Sequence, residues 1–292
     1  MSRLPRISLV TCSWQQAATL DATLRSVLDQ GYPELEYIVV DGGSTDGSVE
    51  VIRRHAPRLA WWVSEPDAGQ TDALIKGFAR ASGDIMGWLC SDDLLLPGSL
   101  EAVARWFAAH PGAGAVYGDA VWIDAMGDPI RAKREMPFSR FALLFDHNYI
   151  AQPSMFWRRP LYDLVGGLDA RFNLAMDSDL WERFSRVGPI AHEPAWWSGM
   201  RWYPEQKTRR LRAASLREAR QIRRRDPLAD LTMSPFVAGA LRGSARLVRV
   251  FGKWRAGGYG AEVPGEVLQA LRRYRIGGDV EADGRAVAGV GA

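Results

Sequence analysis

The chain has 292 residues, 47% apolar and 24% charged, enough for one large α/β domain with an appendage and too apolar to be disordered throughout. No stretch approaches the roughly 18–20 apolar residues that a membrane-spanning helix needs, and with Cys12 and Cys90 as the only cysteines a disulfide scaffold and a zinc module are both excluded. A net charge of +3 excludes a globally polybasic nucleic-acid binder, although basic residues far outnumber acidic ones between Lys207 and Arg255.

The opening residues MSRLPRIS lack the apolar stretch of a signal peptide, which together with the cysteine usage points to a reducing, cytoplasmic location. Ile7–Cys12 reads as a buried strand. Leu20, Leu24, Val27 and Leu28 then recur at the spacing of a helix that packs one face. Glu36–Asp41 is the next strand, followed by a helix over Val49–His55 that Ser44, Thr45 and Asp46 can cap. Leu59–Ser64 is a third strand, Thr71–Ala81 a third helix and Asp84–Cys90 a fourth strand. Pro97 introduces a helix with Leu100, Val103, Ala104 and Phe107 on its apolar face, and a further strand begins at Ala113–Tyr117. This alternation predicts an α/β fold with a mainly parallel central sheet and helices on both faces.

Ligands in such sheets bind beyond the carboxyl ends of the strands. Polar residues cluster there: Thr11 after the first strand, Asp41 after the second, Glu65 and Asp67 after the third, and Asp92 with Asp93 after the fourth. Adjacent carboxylates repel unless a positive charge lies beside them, and an oxygen-only pair suits Mg²⁺ or Mn²⁺. The plainer alternative has Asp93 capping the turn before Pro97 while Asp92 faces water. The segment Asp41–Ser48 (DGGSTDGS) is either a backbone cradle for a ligand or an ordinary glycine-rich turn. Its glycines stand at 42, 43 and 47, which is not the G-x-G-x-x-G spacing of dinucleotide binders.

Beyond about residue 205 the texture changes. Residues 207–225 are Arg-rich, and Leu241, Leu247, Val248, Val250, Phe251 and Trp254 are interleaved with Arg242, Arg246, Arg249, Lys253 and Arg255 as in a basic amphipathic helix. Such a helix can lie on an anionic membrane, or dock on the catalytic domain with a solvated basic face. The organisation expected is therefore a catalytic domain over 1–205, a basic helical extension over 206–276 and a disordered tail over 277–292.

Taken in order, SLVTCSWQQAATLDATLRSVLDQGYPELEYIVVDGGSTDGS, SEPDAGQTDALIKGFARASGDIMGWLCSDDLLLPGSL, VYGD and LAMDSDLWERF resemble the family-2 glycosyltransferases across roughly residues 6–205. The resemblance implies a nucleotide-diphospho-sugar transferase (GT-A-type) fold and transfer of a sugar from a UDP-, GDP- or dTDP-sugar to a glycan or lipid-linked acceptor. It makes Thr11, Asp41, Glu65 and Asp67 donor-pocket residues and Asp92 and Asp93 the D-x-D-type element holding Mg²⁺ or Mn²⁺. It also makes Asp177 the base of an inverting reaction and Asp179 its structural neighbour. Asp119, Gln152 and Trp202 are candidates for the acceptor side, and the enzyme is expected in the cytoplasm or peripherally on the inner membrane face.

Three positions depart from the family pattern: Gly42 where many relatives carry Asp, Ile75 where many carry Asn, and Tyr203 where many place a metal-binding His. Two rivals are a sugar nucleotidyltransferase and a non-catalytic binder. The first usually has basic residues right after strand one, where this chain has Ser13-Trp14-Gln15-Gln16, and the second is hard to square with retention of Asp92, Asp93 and Asp177. No nucleic-acid motif accompanies the basic stretch.

Overall fold

The structure, a computed structural model, describes residues 4–227, 229 and 234–277. The apolar runs of the first third form β1 (Ile7–Ser13), β2 (Leu35–Asp41), β3 (Trp61–Ser64) and β4 (Ile85–Cys90). They alternate with α1 (Ala17–Leu28), α2 (Ser48–His55) and α3 (Gln70–Arg80). Next come β5 (Leu94–Leu95), α4 (Ser99–Ala109), β6 (Ala115–Ile123), β7 (Pro129–Lys133), α5 (Arg140–Phe145), β8 (Met155–Arg158), α6 (Arg159–Leu164), α7 (Met176–Val187) and β9 (Ile190–Arg201). Only helices follow among the described residues: α8 (Lys207–Arg210), α9 (Arg212–Arg223), α10 (Pro235–Arg255) and α11 (Gly265–Arg272).

The nine strands make one sheet in the order β3-β2-β1-β4-β8-β6-β9-β5, with β7 paired to β6. The β3-β2-β1-β4 half is parallel throughout, so its strand ends share one edge. In the other half β6 and β9 run parallel, while β8, β5 and β7 are antiparallel to their neighbours. Short return strands of this kind carry no long apolar run, and for that reason the sequence pattern does not announce them.

Each face of the sheet carries its own core. On one side α1, α2 and α4 bring Leu20, Leu24, Ile52, Leu100 and Phe107 against Leu9, Val39 and Leu89. On the other, α3, α6 and α7 bury Phe78, Tyr162, Leu180 and Trp181 against Val10, Val40, Trp88 and Trp157. Helix α3 sits close because Gly77 faces Val10, where a Cβ would overlap the valine side chain. Trp88 and Trp181 are stacked at 5.3 Å between ring centroids, and Trp157 packs edge-on at 5.4 Å from Trp88.

The extension is docked on the catalytic region. Helix α11 buries Val267 and Leu271 against Leu94, Val121 and Ile123, closing the β5 edge of the sheet. Helix α10 rests on α5, burying Ala245 against Leu144 and Phe145. Past Gly277 the expected disordered tail lies outside the described residues. Because Trp181 is fully buried between two other indoles, Trp181→Ala is expected to cost about 3–5 kcal/mol. Urea denaturation would read this as a lowered midpoint at unchanged slope, and an unchanged midpoint would remove the indole cluster from the core.

Candidate active site at the strand ends

The loops that follow β1 and β2 are fastened to each other. Asp41 is fully buried, and its carboxylate accepts hydrogen bonds from the Gly43 and Ser44 amides at 3.1 and 2.8 Å and from the Ser44 and Ser64 hydroxyls at 2.6 and 2.7 Å. It therefore shapes the glycine-rich loop from within. Asp46 accepts from the Ala17 amide at 2.9 Å and the Ser48 amide at 3.0 Å, so one carboxylate serves the first turns of both α1 and α2. Gln15, held at φ 54°, closes the seam with hydrogen bonds to Ser44 and Thr45.

Beside this seam Trp14 and Asp67 close in on Gly42. A Cβ on Gly42 would come within 2.7 Å of Asp67 Oδ2 and 3.3 Å of the Trp14 ring. The carboxylate of Asp67 thus stands against the position where many relatives carry their second loop aspartate. Its other oxygen accepts from the Gly69 amide at 2.7 Å. Trp14 leaves 65% of its surface exposed, and the neighbouring Ser13 hydroxyl is buried with no hydrogen-bond partner. Glu65 is on the rim, paired with Lys76 at 3.1 Å.

The turn after β4 carries the acidic pair. The Asp93 amide donates to Cys90 O at 3.0 Å, and the Thr19 and Thr23 hydroxyls of α1 donate to the backbone carbonyls of Ser91 and Asp93 at 2.8 Å. Arg201, the last residue of β9, reaches the turn from the far half of the sheet. Its amide donates to Asp93 Oδ1 at 2.8 Å and its guanidinium to Asp92 O at 2.5 Å. Burial, and then the charge of Asp92, push the Asp93 carboxyl well above the ordinary aspartate range, with Arg201 opposing both. Tyr203 donates its hydroxyl to Asp92 Oδ2 at 2.8 Å. Cys90, Asp92 and Asp93 present ligand atoms within 4.8 Å of one another. The thiol is already engaged, accepting from Gln70 at 3.3 Å and donating to Gln152 at 3.5 Å.

Asp177 sits in the first turn of α7, where the helix dipole favours a carboxylate. Its oxygens accept from the Ser178 amide at 2.7 Å and the Asn148 side chain at 2.8 Å. Burial nevertheless raises its pKa above the ordinary aspartate value, against both of those donors. Asp179 is fully buried and tied to Arg183 at 2.6 Å and Arg225 at 2.5 Å, a structural set. The loop before α7 is fixed by Glu218 of α9, whose carboxylate accepts from the amides of Asn173, Leu174 and Ala175. Lys207 donates to Asn173 O at 2.9 Å, and burial, outweighing Asp67 and Glu218, lowers its pKa.

Two sequence expectations meet a different geometry. Thr11 lies inside β1, fully buried, with its hydroxyl 2.8 Å from that of Tyr37, so it supports the cleft floor and Ser13 ends the strand. Asp119 is also fully buried, its oxygens taken by the Glu135 amide at 2.9 Å, His192 at 2.8 Å and Arg134 at 3.3 Å, so it is walled off from any acceptor. Gln152 does stand at the strand ends, donating to Trp88 O at 2.8 Å beside Cys90. Trp202 is part-exposed with the Arg209 guanidinium 4.4 Å over its ring, whereas Trp197 is core. Trp14, Asn148, Arg201 and Lys207 are the residues that sequence reasoning passed over. For Trp14 alone a local signal existed, an aromatic just past a strand end.

Residues 8–164 match the family described as glycosyl transferase family 2. A Mycobacterium bovis "PGL/p-HBAD biosynthesis glycosyltransferase" is 30% identical over 179 residues, which cover 60% of this chain and 68% of that protein. Residues 1–349 of Staphylococcus aureus TarS in complex with UDP-GlcNAc superpose with a TM-score of 0.62 at 16% identity, covering 92% of this chain and 79% of the other. The mannosyltransferase PcManGT of Pyrobaculum calidifontis, in complex with GDP-Man and Mn²⁺, superposes with a TM-score of 0.59 at 22% identity, covering 89% and 77%. Sequence and fold agree: the chain belongs to glycosyl transferase family 2 and is a glycosyltransferase built on the GT-A fold.

Proposed function

We propose that the chain transfers a sugar from a nucleoside diphosphate to an acceptor hydroxyl with inversion, using Asp177 as the base. The observation that carries this reading is Asp177 itself: one carboxylate, raised by burial and oriented by Asn148, in the first turn of a helix whose preceding loop is tied through Asn173 to Ala68, next to Asp67. In the reaction the acceptor oxygen forms a bond to the anomeric carbon while the bond from that carbon to the diphosphate oxygen breaks. The hydroxyl proton passes to Asp177. A raised pKa makes the carboxylate a stronger base.

Ser13, Trp14, Asp41 and Asp67 line or support the nucleoside side. The exposed indole offers a flat face for a base, and the unpartnered Ser13 hydroxyl offers a hydrogen bond. Lys207 feels the charge of Asp67 and would meet a phosphate there. The acidic turn fits a hard divalent cation, because the engaged Cys90 thiol leaves only the oxygens of Asp92 and Asp93, and a cation would offset the burial and the Asp92 charge that together raise Asp93. These two residues would hold Mg²⁺ or Mn²⁺, which when bound neutralises charge on the leaving diphosphate. Tyr203 occupies one oxygen of Asp92 where many relatives have a histidine. A glycan or lipid-linked acceptor is supported by the mycobacterial relative's name. Location in the cytoplasm with peripheral contact at the inner membrane face belongs to the same proposal.

Asp177→Asn is expected to leave donor affinity unchanged while slowing transfer by about 10²–10⁴-fold; normal turnover would refute the base assignment. Transfer should fall as pH drops through the raised pKa, because only the ionised carboxylate accepts the proton. The Asn148 amide favours the ionised form, so Asn148→Ala should move that acid limb to higher pH, and an unmoved limb would detach Asn148 from the base. Arg201→Met removes the resident charge beside Asp92 and Asp93 and is expected to cost about 3 kcal/mol in urea unfolding. Added Mn²⁺ should restore part of that loss, and a variant as stable as the parent would show the arginine to be dispensable.

A further inference from the structure

We infer that the outward face of α10 is a docking surface for an anionic lipid bilayer. The helix has two unlike sides. Its inner side is occupied: Ala245 packs on Leu144 and Phe145, Gly252 lies against Met136, Arg249 pairs with Asp146 at 2.5 Å and Lys253 with Glu135 at 3.4 Å. At 100° per residue the opposite side collects Phe236, Ala240, Gly243, Leu247, Val250, Phe251 and Trp254. That side is bare, with Phe236 85%, Leu247 70%, Phe251 57% and Trp254 65% exposed. Over about 27 Å, at 1.5 Å per residue from Phe236 to Trp254, the side turned away from the protein is thus apolar, with large side chains at Phe236 and from Leu247 to Trp254.

The ridge is flanked by charge of one sign. Pro235–Arg255 contains no Asp or Glu. Arg242, Arg246 and Arg255 have no carboxylate partner among the described residues; Arg255 instead lies 5.9 Å over the Phe251 ring. A nucleic acid would satisfy the arginines but leave Phe236, Leu247 and Trp254 in water. An anionic bilayer answers both features: headgroup phosphates meet the arginines, and the acyl boundary takes the aromatic and aliphatic side chains. No described helix is long and apolar enough to cross a membrane, so α10 would lie in the interface plane. Its inner face also grips the segment that orients Asp177, since Asp146, held by Arg249, is two residues before Asn148.

This inference names the surface behind the peripheral contact in the proposed function and is independent of the sugar-transfer assignment. The test is flotation of the full chain with phosphatidylcholine vesicles, with and without phosphatidylglycerol. The parent should float with the anionic vesicles, and less so as salt is raised. The triple change Leu247→Glu, Phe251→Glu and Trp254→Glu should reduce the bound fraction on the order of tenfold. Arg242→Ser with Arg246→Ser should weaken anionic binding more than any residual neutral binding. A nucleotide-dependent rise in melting temperature retained by the triple variant keeps a failure here separate from a failure of the donor site. Equal flotation on neutral and anionic vesicles, or by parent and triple variant, would overturn the inference. So would a parent dimer in light scattering that the triple variant splits, because the ridge would then be an interface between two copies.

Discussion

A buried carboxylate with a second, half-buried one beside it at the end of a strand is costly to ionise unless a cation lies nearby, and much of this fold serves that constraint. Asp92 and Asp93 sit in a turn between β4 and β5, and the charge that favours the ionised Asp93 comes from Arg201, more than a hundred residues later, which also bonds the turn through its amide and guanidinium. To deliver it, β9 runs alongside β6 and pairs with the two-residue β5 just past the acidic turn. Helix α1 grips the same turn from below through Thr19 and Thr23. A charge fixed in this way keeps the turn folded before any ligand arrives. Burial lowers the pKa of Arg201 while the neighbouring carboxylates raise it, so the cation and its partners each depend on the other.

The same logic makes the C-terminal helices part of the enzyme. Glu218 binds three consecutive amides ahead of α7, the helix that presents Asp177 in its first turn. Arg225 pairs with Asp169 and Asp179 on either side of that loop. Lys207 bridges from α8 to Asn173, whose side chain in turn donates to Ala68 O beside Asp67. The Arg-rich composition of this stretch therefore has two uses. Some of its cations are consumed in holding the loop before α7, and others, on α10, remain free at the surface.

The parallel half of the sheet was legible in the sequence because each strand is a continuous apolar run stopped by polar residues. Ile7–Cys12 and Asp84–Cys90 differ by one residue from β1 and β4, and Asp41 and Ser64 end β2 and β3 as expected. The edges of the candidate site were legible for the same reason, since the polar residues that stop each strand gather along one edge of the sheet. What stayed hidden depends on pairing across long separations. Nothing local in RWYPEQKT marks Arg201 as the partner of Asp93, and nothing around Asn148 marks it as the partner of Asp177. Thr11 misleads in the opposite way: it is polar and near a strand end, yet β1 runs on to Ser13 and the threonine hydroxyl is consumed by Tyr37 inside the layer. Asp119 is similar, a strand aspartate whose partners His192 and Arg134 come from other strands and turns.

On the proposed function, the strand ends bind a nucleoside diphosphate with the help of a metal that Asp92 and Asp93 would hold. The most direct measurement is a melting-temperature titration with UDP, GDP and dTDP, each with and without Mn²⁺, on the parent and on Asp92→Asn with Asp93→Asn. A ligand that binds only the folded state raises the melting temperature by mass action. The proposed site predicts a rise with one of these nucleotides that depends on Mn²⁺ and is lost in the double variant. A rise of equal size without metal, or one that survives loss of both carboxylates, would contradict it, and so would no rise with any nucleotide.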